Sequence, residues 1–402
     1  MKRTPACRTS ARFTSGALTG VTIVTVALLL TACGTSQGGG TTEPTEAQTE
    51  LGEMEGSVSL LAWPGYVEDG TNDPEVDWVS AFEDETGCTV TSKTYGTSDE
   101  AFGLMKTGDY DVVAASGDAS LRLVGAGDVA PVNTDLIPNY EGIFDFLKMQ
   151  SWNSVDGVSY GIPHGYGANL LMYNTEVVTP APTSWDVVFD KSSAYKGAVT
   201  AYDSPISLAD AAVYLMTHQP ELGIENPYAL DETQLAASVQ LFKDQRVNIG
   251  EYWSDYLKEV QAFETGDTVV GTTWQVIRNS LAEGTPAEVV LPEEGATGWS
   301  DTWMIAANAK SPNCAYAWLD YIASPEANAQ ATEYFGEAPS NAGACDFTVN
   351  PDHCEIFHAG DADYAAQIWY WSTPIAECLD GRTDVECTDY SDWTTAWQEI
   401  KG

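Results

Sequence analysis

The chain has 402 residues, 44% apolar and 11% aromatic, too many for one ordinary domain and enough for two lobes with separate cores. Its 59 acidic residues outnumber 17 basic ones, giving a formal net charge of −42, a field that repels nucleic acid and anionic membrane and favours small cations. A solvating acidic surface has the same composition, so charge alone names no ligand.

At the start, Lys2, Arg3, Arg8 and Arg12 precede a short apolar run over residues 21–30, which ends at Leu30-Thr31-Ala32-Cys33. The run is too short for a membrane span and reads as a secretory signal over residues 1–32. The small residues before the cysteine resemble a bacterial lipobox, which implies that Cys33 receives a diacylglyceryl thioether. Residues 33–56, rich in Gly, Thr, Ser and Glu, read as a flexible tether.

Residues 57–62 (SVSLLA) form a β-prone run stopped by the turn chemistry of Trp63-Pro64-Gly65-Tyr66. Asp73-Pro74 reads as the entry to a helix carrying Val76, Val79 and Phe82 until Gly87. A second strand is expected over 89–92, a helix capped by Ser98 through Lys106, and a third strand over 111–115 running into Ser116-Gly117-Asp118. After Gly161-Ile162-Pro163 come strands over 169–173, 198–202, 268–274 and 302–306, and helices over 207–217 and from Asp231 through Phe242. A last helix opens at Ser324-Pro325 and closes at Gly336. This alternation predicts an α/β fold of sheets covered by helices, with ligands at the carboxyl ends of strands. The expected division places 57–165 and 301–344 in one lobe and 166–300 and 345–402 in the other.

Six cysteines follow Cys33: Cys88, Cys314, Cys345, Cys354, Cys378 and Cys387. In an exported chain they imply disulfides, and six permit about 15 connectivities. Spacing favours the local pairs Cys345–Cys354 and Cys378–Cys387, which leaves Cys88 and Cys314 for a long-range bridge. A zinc site lacks support, since no CxxC occurs and His353 beside Cys354 has no matched partners. No metal or cofactor is expected.

An ordered series of short motifs runs through the body. Trp63-Pro64-Gly65-Tyr66-Val67 ends the first strand, Glu85-Thr86-Gly87 precedes the second, and Tyr110-Asp111-Val112-Val113 leads to Ser116. Tyr160-Gly161-Ile162-Pro163, Thr183-Ser184-Trp185 and Tyr195-Lys196-Gly197 follow, then Leu291-Pro292-Glu293-Glu294-Gly295, Trp299-Ser300-Asp301 and Ala307-Asn308-Ala309. Over residues 57–341 the chain thereby resembles the spermidine/putrescine-binding proteins of ABC importers. The resemblance implies a two-lobed periplasmic-binding-protein-like fold, with the ligand in the cleft, stacked between rings and paired with carboxylates. It implies that Trp63 and Tyr66 line the first-lobe wall, that Ser116 is a cleft serine and that Asp203 holds one ammonium. It further implies that Trp274 and Trp299 stack on the methylenes and that Asp301 clamps an amine. The chain departs from the pattern at Gly65 and Ile206, where acidic residues are usual, and at Asp118 and Glu337, where tyrosines are usual. Asp118 and Glu337 are therefore candidate ligand carboxylates. Beyond Cys345 the pattern is lost, and the candidates there are Trp369 and Trp371.

The chemistry points the same way without the resemblance. A polyamine needs apolar ring faces for its methylenes and carboxylates for its ammonium groups. Trp63, Trp274 and Trp299 stand beside Asp118, Asp203 and Asp301 at expected strand ends. Against this, most indoles are core, as Trp78, Trp318 and Trp397 on helical faces should be, and Asp203 before Ser204-Pro205 also reads as a turn former. Two other readings remain. One is a binding protein for an amino acid or oligosaccharide. The other is a secreted glycoside hydrolase with paired carboxylates, although no G-x-S-x-G, H-E-x-x-H or triad appears and the four histidines are His164, His218, His353 and His358. Residues 69–75 (DGTNDPE) faintly suggest a calcium loop but read better as a helix entry. The expectation is a non-enzymatic, exported, lipid-anchored monomer at the cell surface or in the periplasm. Its expected partners are a polyamine and an ABC permease, not nucleic acid.

Overall fold

The computed structural model describes residues 47–190 and 192–402. The expected signal segment, Cys33 and the first part of the tether lie outside them. No helix among the described residues is long and apolar enough to cross a membrane.

The chain builds one sheet, leaves it for a second, and returns. The first stretch contributes Ser57–Ala62 (β1), Thr89–Thr94 (β2), Val112–Ala115 (β3) and Ile162–Ala168 (β4). The middle stretch contributes Leu170–Asn174 (β5), Val199–Tyr202 (β6), Ile249–Trp253 (β7), Val270–Thr273 (β8) and Ala287–Val290 (β9). The return adds Ala296–Ile305 (β10), Ala338–Pro339 (β11) and Ile368–Tyr370 (β12). The first sheet runs β11-β4-β10-β3-β1-β2, with β12 beside β10, and the second runs β9-β5-β8-β6-β7. Strands joined by helices pair in parallel, as β1 does with β2 and β3 and as β6 does with β7, because a parallel return needs a crossover. The result is the expected two-lobed α/β fold.

All ten residues of β10 are buried, and it pairs antiparallel with both β3 and β4. A central strand covered on both faces reads as a near-continuous apolar run, and its polar members then need partners. Between Ser300 and Thr302 the pairing with β4 slips, so that His164 and Gly165 face the single residue Asp301. Such a bulge kinks the ladder and re-aims a side chain. The chain changes sheets at Asn169, whose N–H donates to the Thr297 carbonyl at 2.8 Å, so the two crossing segments are bonded to each other.

Two local expectations need correction. The first helix begins at Val79, not at Asp73. Residues 69–77 instead close a loop, with the Gly70 N–H on the Val76 carbonyl and the Trp78 N–H on the Glu68 carbonyl. The second helix, Ser98–Met105, is capped by Thr97, which accepts from the Glu100 N–H. Ser98 is thereby free to donate to Asp118 at 2.8 Å. By contrast Asp231 caps its helix with a full capping box, and Ser324 with Pro325 opens a helix closed by Gly336 in the left-handed region, as expected.

The disulfides join Cys88 to Cys314, Cys345 to Cys354 and Cys378 to Cys387. Past β12 the chain crosses again: Thr373 Oγ1 donates to the carbonyls of Gly117 and Asp118. The final helix, Tyr390–Lys401, sets Trp397 edge-on to Phe242 at 5.3 Å on the helix Glu232–Gln245 of the second lobe. Trp78, Trp318 and Trp397 are buried, as expected of core indoles.

Candidate functional site

A cleft of about 950 Å³ opens where the carboxyl ends of β1, β3, β6 and β8 converge. Trp63, Ser116, Trp274, Trp299 and Asp301, all singled out in the sequence, line it together. Tyr202 and Trp371 complete the wall, with Phe335 and Tyr334 nearer the mouth.

The rings form a connected array. Trp274 stands 5.3 Å from Trp299 and 5.4 Å from Tyr202, and Tyr202 stacks on Trp371 at 5.9 Å with 7° between the planes. Trp63, across the cleft, packs at 4.5 Å against Tyr95. Two of the indoles are anchored from behind. Trp299 Nε1 donates to Glu337 Oε2 at 2.9 Å, and Gly167 opposite it has no room for a side chain, since a Cβ would lie 2.3 Å from the indole. Trp274 Nε1 donates to Asn169 Oδ1 at 2.8 Å; the Asn169 amide donates to Thr297 Oγ1 at 2.6 Å, and the Thr297 hydroxyl donates to Asp210. This relay runs from the cleft through both crossing segments to the helix Leu208–His218.

Asp301 is 2% exposed. Its Oδ2 accepts the Tyr66 phenol at 2.9 Å, and its Oδ1 has no hydrogen-bond partner. Burial pushes the carboxyl up to about 6; Ser116 and Tyr66 favour the charged form, and Asp118 opposes it. A dehydrated carboxylate among indole rings offers the chemistry that a cation carrying N–H groups requires.

The other candidate carboxylates fall elsewhere. Tyr66 is fully buried under Asp301 and lies 3.3 Å from Glu337. Glu337 is fully buried behind Trp299, and burial followed by the Asp301 charge pushes its carboxyl well above the usual range. His164, 3.8 Å away, is pushed down to about 3 by burial, which disfavours the charged form of both side chains. Asp118 sits at the start of the helix Gly117–Ala126, covered by the segment carrying Thr373. Burial raises it to about 6 despite the Ser98 hydroxyl and Arg122. Asp203 faces away from the array: both its oxygens take Lys401 Nζ, at 2.8 and 2.6 Å, and Oδ1 also accepts Trp397 Nε1 at 3.0 Å. A strand-end position could have marked Tyr202 in the sequence, whereas nothing in its local pattern separates Trp371 from Trp369. No cluster of metal-ligating side chains occurs among the described residues.

Residues 77–353 match the family model described as bacterial extracellular solute-binding protein. Over 290 residues the chain is 25% identical to the spermidine/putrescine-binding periplasmic protein of Escherichia coli strain K12, covering 70% of this chain and 77% of that one. It is also 25% identical, over 310 residues, to a putrescine/agmatine-binding protein of Pseudomonas aeruginosa, covering 72% and 79%. Among solved structures, a putative spermidine/putrescine ABC transporter from Listeria monocytogenes superposes with a TM-score of 0.69 at 19% identity, covering 86% of this chain and 99% of that one.

Proposed function

This chain belongs to the bacterial extracellular solute-binding protein family, and from that premise we propose that it is the capture component of an ABC importer for a polyamine-class amine. One observation carries the reading: Asp301, buried and with Oδ1 unpartnered, lies in an inter-lobe cleft among Trp274, Trp299 and Trp371. Relatives that bind putrescine, spermidine or agmatine support the same ligand chemistry.

The ammonium group loses water on entering and regains it as N–H donation to Asp301 and cation–π attraction to the indoles. A charge-assisted bond contributes about 1.5–3 kcal/mol and each desolvated ring contact about 0.5–2 kcal/mol, offset by the entropy cost of association. Residues from both lobes line the cleft, so ligand stabilises the closed form, and that form is what a permease recognises. Cys33 is the proposed lipid anchor, with residues 33–56 as tether. Calorimetry with putrescine, spermidine, arginine and maltose tests the reading. Micromolar binding of the amines alone supports it; binding of maltose alone, or of none, ends it.

A further inference from the structure

We infer that Glu68 forms a second cation subsite at the mouth of the cleft, where it takes the far ammonium of a ligand whose near ammonium meets Asp301. The subsite rests on the amine-binding reading above and narrows it to amines charged at both ends.

Glu68 is 3% exposed and lines the same cleft as Asp301. Its backbone is fixed, because its carbonyl accepts the N–H groups of Trp78 and Val79, both at 3.3 Å, where the first helix begins. The carboxylate is only half committed. Oε2 accepts the Asn72 amide at 2.8 Å, whereas Oε1 accepts no hydrogen bond among the described residues and keeps contact with solvent. A carboxylate held in this way has lost most of its water yet can still be reached, which favours pairing with an entering ammonium.

The other acidic groups are placed differently. Glu337 Oε1 is unpartnered too, but it is turned to the backbone of β4, where a Cβ on Gly165 would lie 2.3 Å from it, and Glu337 lines a separate small cavity. Asp203 is taken by Lys401 at 2.6 Å. Asp69 and Asp255 border the mouth but are exposed, so water and salt screen them.

From Asp301 outward the wall is aromatic. Phe335 packs edge-on to Tyr66, the residue beneath Asp301, with ring centres 4.9 Å apart, and the adjacent Tyr334 is exposed at the mouth. Both rings border the loop that leads to Glu68: a Cβ on Gly65 would lie 3.5 Å from Phe335 and 3.7 Å from Tyr334. The Tyr334 phenol is pushed up by partial burial and then by the Glu68 charge, as expected of neighbours. Tyr256, at the start of the second-lobe helix Tyr256–Thr265, borders the same mouth. Methylenes can thus lie along rings between two carboxylates, and a monoamine would leave Glu68 unpaired.

The test measures putrescine, cadaverine and spermidine by calorimetry, and butylamine by displacement of the tightest of them, on wild type, Glu68→Gln and Asp69→Asn. Glutamine keeps an oxygen for Asn72, and an unchanged melting temperature without ligand verifies that the loop holds. Glu68→Gln should weaken the tightest amine about fivefold or more and butylamine less than about twofold, while Asp69→Asn should change both less than about twofold. An equal loss for butylamine, an equal loss in Asp69→Asn, or no loss in Glu68→Gln overturns the second subsite and leaves the amine-binding reading standing. If wild type binds none of the four, both fall.

Discussion

The Tyr66 phenol donates to Asp301 Oδ2 across 2.9 Å, so one buried side chain fixes the carboxylate and leaves its other oxygen vacant. Asp301→Asn should weaken spermidine binding about 10- to 100-fold, the loss of one charge-assisted bond. Melting temperature without ligand should hold or rise, because an uncompensated buried charge is removed. Tyr66→Phe should weaken binding several-fold. Calorimetry and thermal unfolding on the same samples check both.

Asp301 and Asp118 are raised to about 6 and Asp210 to about 7, each chiefly by burial. In the unfolded chain these carboxyls titrate near pH 4. Between pH 4 and 6 the unfolded state releases protons that these folded carboxyls keep, so their contribution to stability without ligand should fall as pH rises through that window and more slowly to about 7; buried Glu337 and Glu259 act in the same direction, and His164, held down to about 3, opposes them. Binding should run the other way. A cation needs Asp301 ionised, so affinity should rise up to tenfold per unit toward pH 6 and flatten above it. Melting curves from pH 4 to 8, with and without spermidine, separate the two trends.

Asp210 touches no ligand, yet it ends the relay that begins at Trp274. Asp210→Ala should cost about 1–3 kcal/mol of stability by stranding the Thr297 hydroxyl. It should also alter the near-ultraviolet circular dichroism of Trp274, read against a Trp274→Phe control. Asp210→Asn keeps an acceptor and should restore most of both signals.

Gly117 has no room for a methyl group, since a Cβ would lie 1.7 Å from the Trp371 carbonyl oxygen. Gly117→Ala should displace the segment that carries Trp371 and weaken amine binding to about the level of Trp371→Ala. That level is a roughly 3- to 30-fold loss, for one ring of a cation–π wall. A Gly117→Ala protein that binds as wild type would contradict this.

Cys88 and Cys314 are 226 residues apart and tie the first helix region to the helix Pro312–Ile322. Removing both sulfurs, as Cys88→Ala with Cys314→Ala, should lower unfolding free energy by up to about 5 kcal/mol on loop-entropy grounds. The Cys378–Cys387 bridge closes a short loop and should matter less. Denaturant unfolding of the two double variants gives the order.

Much of this was legible in the sequence because it depends on local pattern. Strand–helix alternation gave the sheets, capping residues such as Asp231 and Ser324 gave helix starts, and cysteine spacing favoured the pairs the structure contains. Trp63, Ser116 and Trp274 meet because strand ends of an α/β sheet converge, whereas Trp299 and Asp301, expected at a strand end, reach the cleft from the middle of β10, which starts at Ala296 and not at residue 302. What escaped the sequence depends on long-range partners. Nothing near Asp203 reveals that Lys401, 198 residues away, occupies it. Glu337 looked like a ligand carboxylate, but its neighbour is the back of Trp299, and the bulge that aims Asp301 is visible only once β4 and β10 pair.

One strand, β10, carries Thr297, Trp299, Asp301 and Trp303 at every second position, joining the interlobe bond, the stacking ring, the charge and the first-lobe core on one ruler. Because faces alternate residue by residue, a single insertion or deletion there would turn the whole set inside out. Descendants of this protein can thus change what they carry by swapping letters along β10, but not by altering its length.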